Sequence, residues 1–332
     1  MVCDRFEENV VSPAQSAPVL KACAILKRLS GGLHTVLVKA SDGFLYVVKM
    51  MDSFQGPNVL ANEALGNELA KYLGISVPAW RPIEISESCV DKYLLLHWTG
   101  SDSWLDRPGP GLYFGSRAVS QEEDAFVYHE LPENWEGRIS NRSDFAGMLL
   151  LDLWANQIGP RKAVFLPSAD GLMVTAFFIG NGQMFGGYWG REEQQRGSAL
   201  YPDRRVYTHL DVNRIFNTWL QKAIAMDEKM LLQMARIVPR QWHDSTYLQE
   251  VASQLQVRKW RVAQLLAQEM NLVSGVKTKI TSSTGMADEG RGAVSQAGGL
   301  GTARKEASRQ ADSGGSDSAN GESSQNGEAA SN

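Results

Sequence analysis

The sequence predicts an α+β protein of two lobes, a β-rich N-terminal part and a mostly helical C-terminal part. Three patterns predict it: strand-type runs punctuated by turn residues in the first third, a second short hairpin pattern near the middle, and helical apolar spacing from about residue 212 to 271. With 332 residues, 43% hydrophobic and 21% charged, the chain is long enough to bury a core of that kind.

The elements follow in order. From His34 the chain reads HTVLVKA, then Ser41-Asp42-Gly43, then FLYVVKMM, two β-rich runs about an Asp-Gly turn. Alternation places Leu45, Val47 and Lys49 on one face and Phe44, Tyr46, Val48 and Met50 on the other. Next, VLANEALGNELAKYLG predicts one helix, with Leu60, Ala64, Leu65, Leu69, Tyr72 and Leu73 as its apolar stripe and Gly74 as its C-terminal stop. Pro78 and Pro82 bracket an extended stretch, KYLLLHW (92–98) reads as a further strand, and RPGPGLYFGSR (107–117) as a loop. Ser143 is placed to cap a helix through DFAGMLLLDLWAN, apolar nearly all round and therefore buried. KAVFLP and LMVTAFFIG then form a hairpin about Ser168-Ala169-Asp170-Gly171.

The expected boundaries are an N-terminal extension (1–20), a β-rich lobe (21–99), a helical lobe (100–273) and a tail (274–332). Every Trp, Tyr and Phe lies at or before Trp260. The tail is rich in Ser, Gly, Ala, Gln and Asn, too poor in apolar surface to offset its ordering entropy, and is expected to be disordered.

A net charge of −4 without any basic cluster argues against a nucleic-acid partner. Three widely spaced cysteines and unclustered histidines suggest neither a disulfide framework nor a zinc site. The acidic N-terminus does not read as a signal peptide, and GMLLLDLW and MVTAFFIG are too short to span a bilayer, so no membrane partner is expected and the cytoplasm is the default compartment.

Taken in order, the hairpin ending YVVK, Gln55-Gly56 with LANEALGNELAKYLGISVP, GLYFGSR, NRSDFAGMLLLDLWANQ, RKAVF and FFIGNGQMFGG resemble the HipA-like kinases of bacteria over roughly Cys23 to Gln268. The resemblance implies a protein-kinase-like fold. In such folds a strand lysine neutralises nucleotide phosphates and is oriented by a helix glutamate, one Asp orients the acceptor hydroxyl and a later Asp holds magnesium. Lys49 looks like that lysine and Glu63 like its partner, with Glu68 the weaker alternative. Read from the residues alone, Lys49 also fits a strand-edge lysine that blunts aggregation, and Glu63 a solvated helix residue.

Both expected carboxylates are glycines. Active relatives resemble WxNxxDxR where this chain has Trp154-Ala155-Asn156-Gln157-Ile158-Gly159-Pro160-Arg161, and an Ile-Asp-His-Gly pattern where it has Ile179-Gly180-Asn181-Gly182. No other Asp or Glu lies between Asp152 and Asp170 or between Asp170 and Glu192, so a shifted register recovers neither. Glycine cannot accept a proton or ligate a hard cation. Gly159 and Gly180 read equally as tight-turn residues.

Asn156 and Arg161, with Lys49 and Glu63, are the expected nucleotide-binding residues, and Asn181 offers a metal one neutral oxygen. ATP is the expected nucleotide, and magnesium is not expected to be held. The function these features imply is that of a pseudokinase acting through a protein partner. The alternative is an active serine/threonine-type kinase with an atypical constellation. Tyr247 to Leu266 superficially resembles a helix-turn-helix with Leu248, Val251, Leu255, Val257 and Val262 as its apolar positions. Its turn carries Gln256 where glycine is common, which favours a plain helix pair packing the lobe.

Overall fold

In the computed structural model, residues 17–29, 35–50, 58–97, 109–124, 127–187, 198–208, 210 and 212–274 are described. They belong to the first of two units, residues 1–280. Most of the expected N-terminal extension (1–16), and the expected tail beyond Ser274, lie outside the described residues.

The expected β-then-α order is present. Five strands, β1 (Leu20–Arg28), β2 (Thr35–Ala40), β3 (Leu45–Lys49), β4 (Trp80–Ile85) and β5 (Gly111–Arg117), close a barrel in the order β1-β2-β3-β5-β4. All pairings are antiparallel except β1 with β4, where Leu20 faces Ile83. The β2–β3 hairpin closes at Asp42, whose carboxylate accepts from the Phe44 amide (3.1 Å) and the Tyr46 hydroxyl (2.8 Å). Alternation holds in β3: Tyr46, Val48 and Met50 enter the barrel core with Ile25, Val36, Val38, Ile83 and Ile85, while Lys49 leaves it on the other face.

Helix α1 (Val59–Leu73) follows the hairpin and ends at Gly74, whose left-handed φ of +83° makes it the expected stop. The apolar stripe predicted for it is buried apart from the half-buried Tyr72, but so is most of its circumference, because α1 lies between the barrel and the helical part. Trp80 and Phe114, stacked at 5.5 Å, face the larger core that contains α1.

Two sequence expectations fail here. KYLLLH (92–97) is not a strand; it completes helix α2 (Glu87–His97), whose first turn is anchored at Ser86, with the Cys89 and Val90 amides both on its carbonyl at 3.1 Å, and Trp98 of the expected strand lies outside the described residues. Three consecutive leucines carry no period, so only the Ser86-Glu87 start could have decided the matter. GLYFGSR is a full strand, β5, between β3 and β4, which carries the barrel past the expected boundary at residue 99. Gly115 made it look like a loop, yet a Cβ there would sit 2.4 Å from Ile83 Cγ1. That glycine marks close packing rather than a turn.

The helical part is built on α3 (Asp144–Trp154), all eleven residues of which are buried, as its composition requires. Ser143 precedes it but makes no side-chain cap; Asp144 instead accepts from the Ser76 amide at 3.0 Å and so ties α3 to the segment after α1. Strands β6 (Lys162–Pro167) and β7 (Val174–Ile179) form the expected hairpin. Helices α4 (Val212–Ala225), α5 (Glu228–Ala235), α6 (Tyr247–Arg258) and α7 (Val262–Ser274) complete the core.

Helices α6 and α7 pack on α5 and α3 as a plain pair. Leu248, Val251, Leu255 and Val262 are buried, whereas Val257 is 67% exposed, against expectation. The basic residues of the turn serve the fold: Arg258 donates to the carbonyls of Leu153 (2.7 Å) and Trp154 (2.9 Å), and Lys259 to that of Met226 (2.9 Å). Cations on helix-terminal carbonyls complement the macrodipole as well as the hydrogen-bonding need. No described helix is long and apolar enough to cross a membrane.

Candidate functional site

The site lies where β3, α1, the turn after α3 and the turn after β7 meet. Lys49, last residue of β3, donates from Nζ to Glu63 Oε1 on α1. The lysine is 22% exposed and the glutamate 4%, so the pair is shielded on one side and open on the other. It is neither an edge lysine nor a solvated helix residue. Glu68 points away, accepting from Trp80 Nε1 at 2.9 Å.

Glu63 also reaches a second element, because its Oε2 accepts the Asn181 amide at 3.0 Å. One residue earlier, Asn62 donates to the carbonyls of Gly182 and Met184, both at 3.1 Å, and accepts the Tyr247 hydroxyl from α6. Burial pushes that phenol upward in pKa, so the hydroxyl stays a donor. Residues 62, 63 and 66 share a helix face. A Cβ at Gly66 would lie 2.7 Å from the Asn181 Cβ, so the glycine lets the 180–184 turn rest on α1.

The turn after α3 is braced separately. Arg161 donates from Nε to Asp152 Oδ2 at 2.9 Å and from its Nη2 to Asp152 Oδ1, and the two side chains are 2% and 1% exposed. Its Nη1 reaches the carbonyls of Ile179 (3.0 Å) and Gly180 (3.3 Å) and Asn181 Oδ1 (2.8 Å). Both side chains are engaged within the protein. Arg161 is a buried brace rather than a group presented to a phosphate, because Asp152 and three loop oxygens take its donors. Asn181 is 1% exposed, and its Oδ1 is turned to Arg161 rather than to a metal. Asn156 sits at the rim, half-buried, in a left-handed conformation (φ 50°), its carbonyl accepting the Gly186 amide at 3.1 Å.

The two glycines differ in kind. Gly180 has φ +82° and no atom of the described residues within 4 Å of a Cβ, so backbone conformation is what asks for glycine there. Gly159 is not left-handed; a Cβ there would lie 1.6 Å from Gln183 Oε1 and 2.6 Å from Gln183 Cδ. The Gln183 carboxamide therefore occupies the space of a side chain at position 159. Below it, Gln157 donates to the carbonyls of both Gly159 and Gly180 at 3.3 Å, and its buried Oε1 has no partner among the described residues.

Sequence alone assigned no role to Gln157 or Gln183. Their one signal was position, each an amide within three residues of a glycine standing where a carboxylate was expected.

No protein-family model and no curated protein matches the chain. Among solved structures, the Helicobacter pylori proinflammatory kinase CtkA aligns at 11% identity over 77% of this chain and 100% of that one, with a TM-score of 0.44. The Golgi casein kinase with Mn and ADP bound aligns at 11% identity over 80% of this chain and 75% of its own, at 0.41. A second Golgi casein kinase structure aligns at 11% identity over 78% and 74%, at 0.42.

Proposed function

We propose that the chain is a HipA-like kinase-fold protein that holds a nucleotide without transferring its phosphate, a pseudokinase that acts by binding a protein partner. One observation carries this reading. The Lys49–Glu63 pair links a barrel strand to the helix beside it, as the lysine and glutamate of kinase sites do, and Glu63 also anchors the turn whose metal-position residue is Gly180. On this reading the Lys49–Glu63 pair is the nucleotide-orienting half of a kinase site. The other half is glycine at both positions, and Asp152 is committed to Arg161. Without transfer, what remains for such a module is to bind.

ATP is the ligand this reading assigns, with Lys49 on its phosphates. Thermal-shift titration with ATP should stabilise the wild-type protein equally with and without magnesium, and Lys49→Ala should abolish the shift. Radiolabelled phosphate transfer from ATP by the wild type, lost in Lys49→Ala, would replace this reading with that of an active kinase of unusual constellation.

A further inference from the structure

We propose that Cys23 and Cys89 form a thiol pair that an oxidant of the peroxide class converts into a disulfide, locking helix α2 onto strand β1. The pair belongs to the barrel rather than to the Lys49–Glu63 cleft, and it does not depend on the nucleotide-binding reading.

Packing brings the two residues to one place. Helix α2 lies against β1, and Cys89 in its first turn is buried in the barrel core together with Ile25 of that strand. Cys23 is exposed on β1, two residues before Ile25. The β1–β2 register slips between Ala22 and Ala24, which pair with Ala40 and Lys39, so Cys23 is the extra residue of a bulge. A bulge leaves that residue out of the ladder, bends the strand and re-aims the side chain. The surroundings of the Cys89 sulfur agree with this placement: burial pushes the thiol up in pKa, the Ile25 backbone pulls it down and the charge of Cys23 pushes it up, so both β1 residues are close to it. At about 3.3 Å per strand residue, shortened by the bulge, the Cys23 backbone lies within about 7 Å of the Ile25 backbone, a span comparable to the Cα separation of a disulfide.

Exposure sets the order of events. The exposed Cys23 meets the oxidant first, and the buried Cys89, kept a thiol by its surroundings, resolves the product. The Cys23 thiolate attacks one peroxide oxygen, the O–O bond breaks, and Cys23 becomes a sulfenic acid as hydroxide leaves and is protonated to water. The Cys89 sulfur then attacks the Cys23 sulfur, the S–O bond breaks, and the departing hydroxide takes the Cys89 proton as a second water. Two thiols have lost two electrons in all, and hydrogen peroxide has been reduced to two waters. A thiol reductant such as dithiothreitol reverses the bond by exchange.

Treating the folded, full-length chain with hydrogen peroxide, blocking the remaining thiols and mapping peptides without reduction by mass spectrometry tests this. The expected product is a Cys23–Cys89 cross-linked peptide that disappears with dithiothreitol and forms equally in Cys3→Ser. In Cys23→Ser, Cys89 should be recovered as the blocked thiol. The cross-linked protein should melt several degrees above the reduced one, because the bond closes a long loop in the unfolded chain. Cys23 recovered as a sulfinic or sulfonic acid beside a blocked Cys89, Cys23 joined to Cys3, or both cysteines recovered as blocked thiols would each overturn the proposal. A cross-link with no rise in melting temperature would overturn the lock on α2.

Discussion

At the scale of single residues, Gly159 and Gly180 have different reasons to be glycine, and the difference can be tested without a functional assay. Gly159 is constrained by the Gln183 side chain, the movable end of a neighbour, whereas Gly180 is constrained by its own backbone. Gly159→Ala should therefore lower the melting temperature in the wild type and have little effect in a Gln183→Ala background. Contacting residues of this sort couple by roughly 0.5–3 kcal/mol. Equal losses in the two backgrounds would show that Gln183 is not what excludes a side chain. For Gly180→Ala the loss should be the same with or without Gln183, about 1 kcal/mol for a non-glycine residue held left-handed. The same geometry bears on reversion: Gly159→Asp must first displace Gln183, so neither it nor Gly180→Asp alone should yield phosphate transfer above background.

At the scale of elements, α1, α3 and the β2–β3 and β6–β7 hairpins were legible because period, turn residues and stops agreed within each segment. Helix α2 and strand β5 were not, since their deciding features lay outside the local window: a serine carbonyl one residue before α2, and Ile83 on the strand opposite Gly115. The site divides in the same way. Lys49 and Glu63 were legible as a pair from the order of motifs. The partners of Arg161 were not, because Asp152 comes within reach only when the chain reverses after α3.

Helix α6 supplies an element-scale prediction. Its start is anchored not by Thr246 but by Asp244, which accepts the amides of Tyr247 (2.9 Å) and Thr246 (3.1 Å). Those backbone donors, Tyr247 first, hold the Asp244 carboxyl below the usual carboxylate range. A depressed folded-state pKa contributes stability above the unfolded value of 3.8, and that stability is lost as pH falls through the folded value. Asp244→Asn keeps an acceptor but does not titrate, so its deficit in melting temperature against the wild type should be largest near neutrality and should shrink in acid below pH 3.8. A deficit that is the same at every pH would mean that Asp244 does not anchor the helix as a charge.

At the scale of the whole molecule, α1 and α6 join the barrel to the helical part through the site itself. The chain of contacts runs from Tyr247 to Asn62, from Asn62 to the 182–184 turn, and from Glu63 to Lys49 on β3. Beneath it the C-terminal helices close the core. Trp154 donates to the Leu255 carbonyl at 2.9 Å, Val262 and Leu266 of α7 are buried, and Glu269 accepts from Ser198 at 2.9 Å. The structural limit of the fold on its C-terminal side is therefore at or beyond α7, and two truncations separate core from tail. Ending the chain after Ser274 should leave the melting temperature within a degree or so of the full-length value, because the removed segment has no aromatic residue and few large apolar ones. Ending it after Arg261 removes Val262, Leu266 and Glu269 together, a loss of buried apolar surface plus the acceptor of the Ser198 hydroxyl and the Ala199 amide, and should lower the melting temperature by many degrees or prevent folding. If the longer truncation product also melts several degrees early, residues beyond 274 pack against the core and the boundary drawn from composition is misplaced.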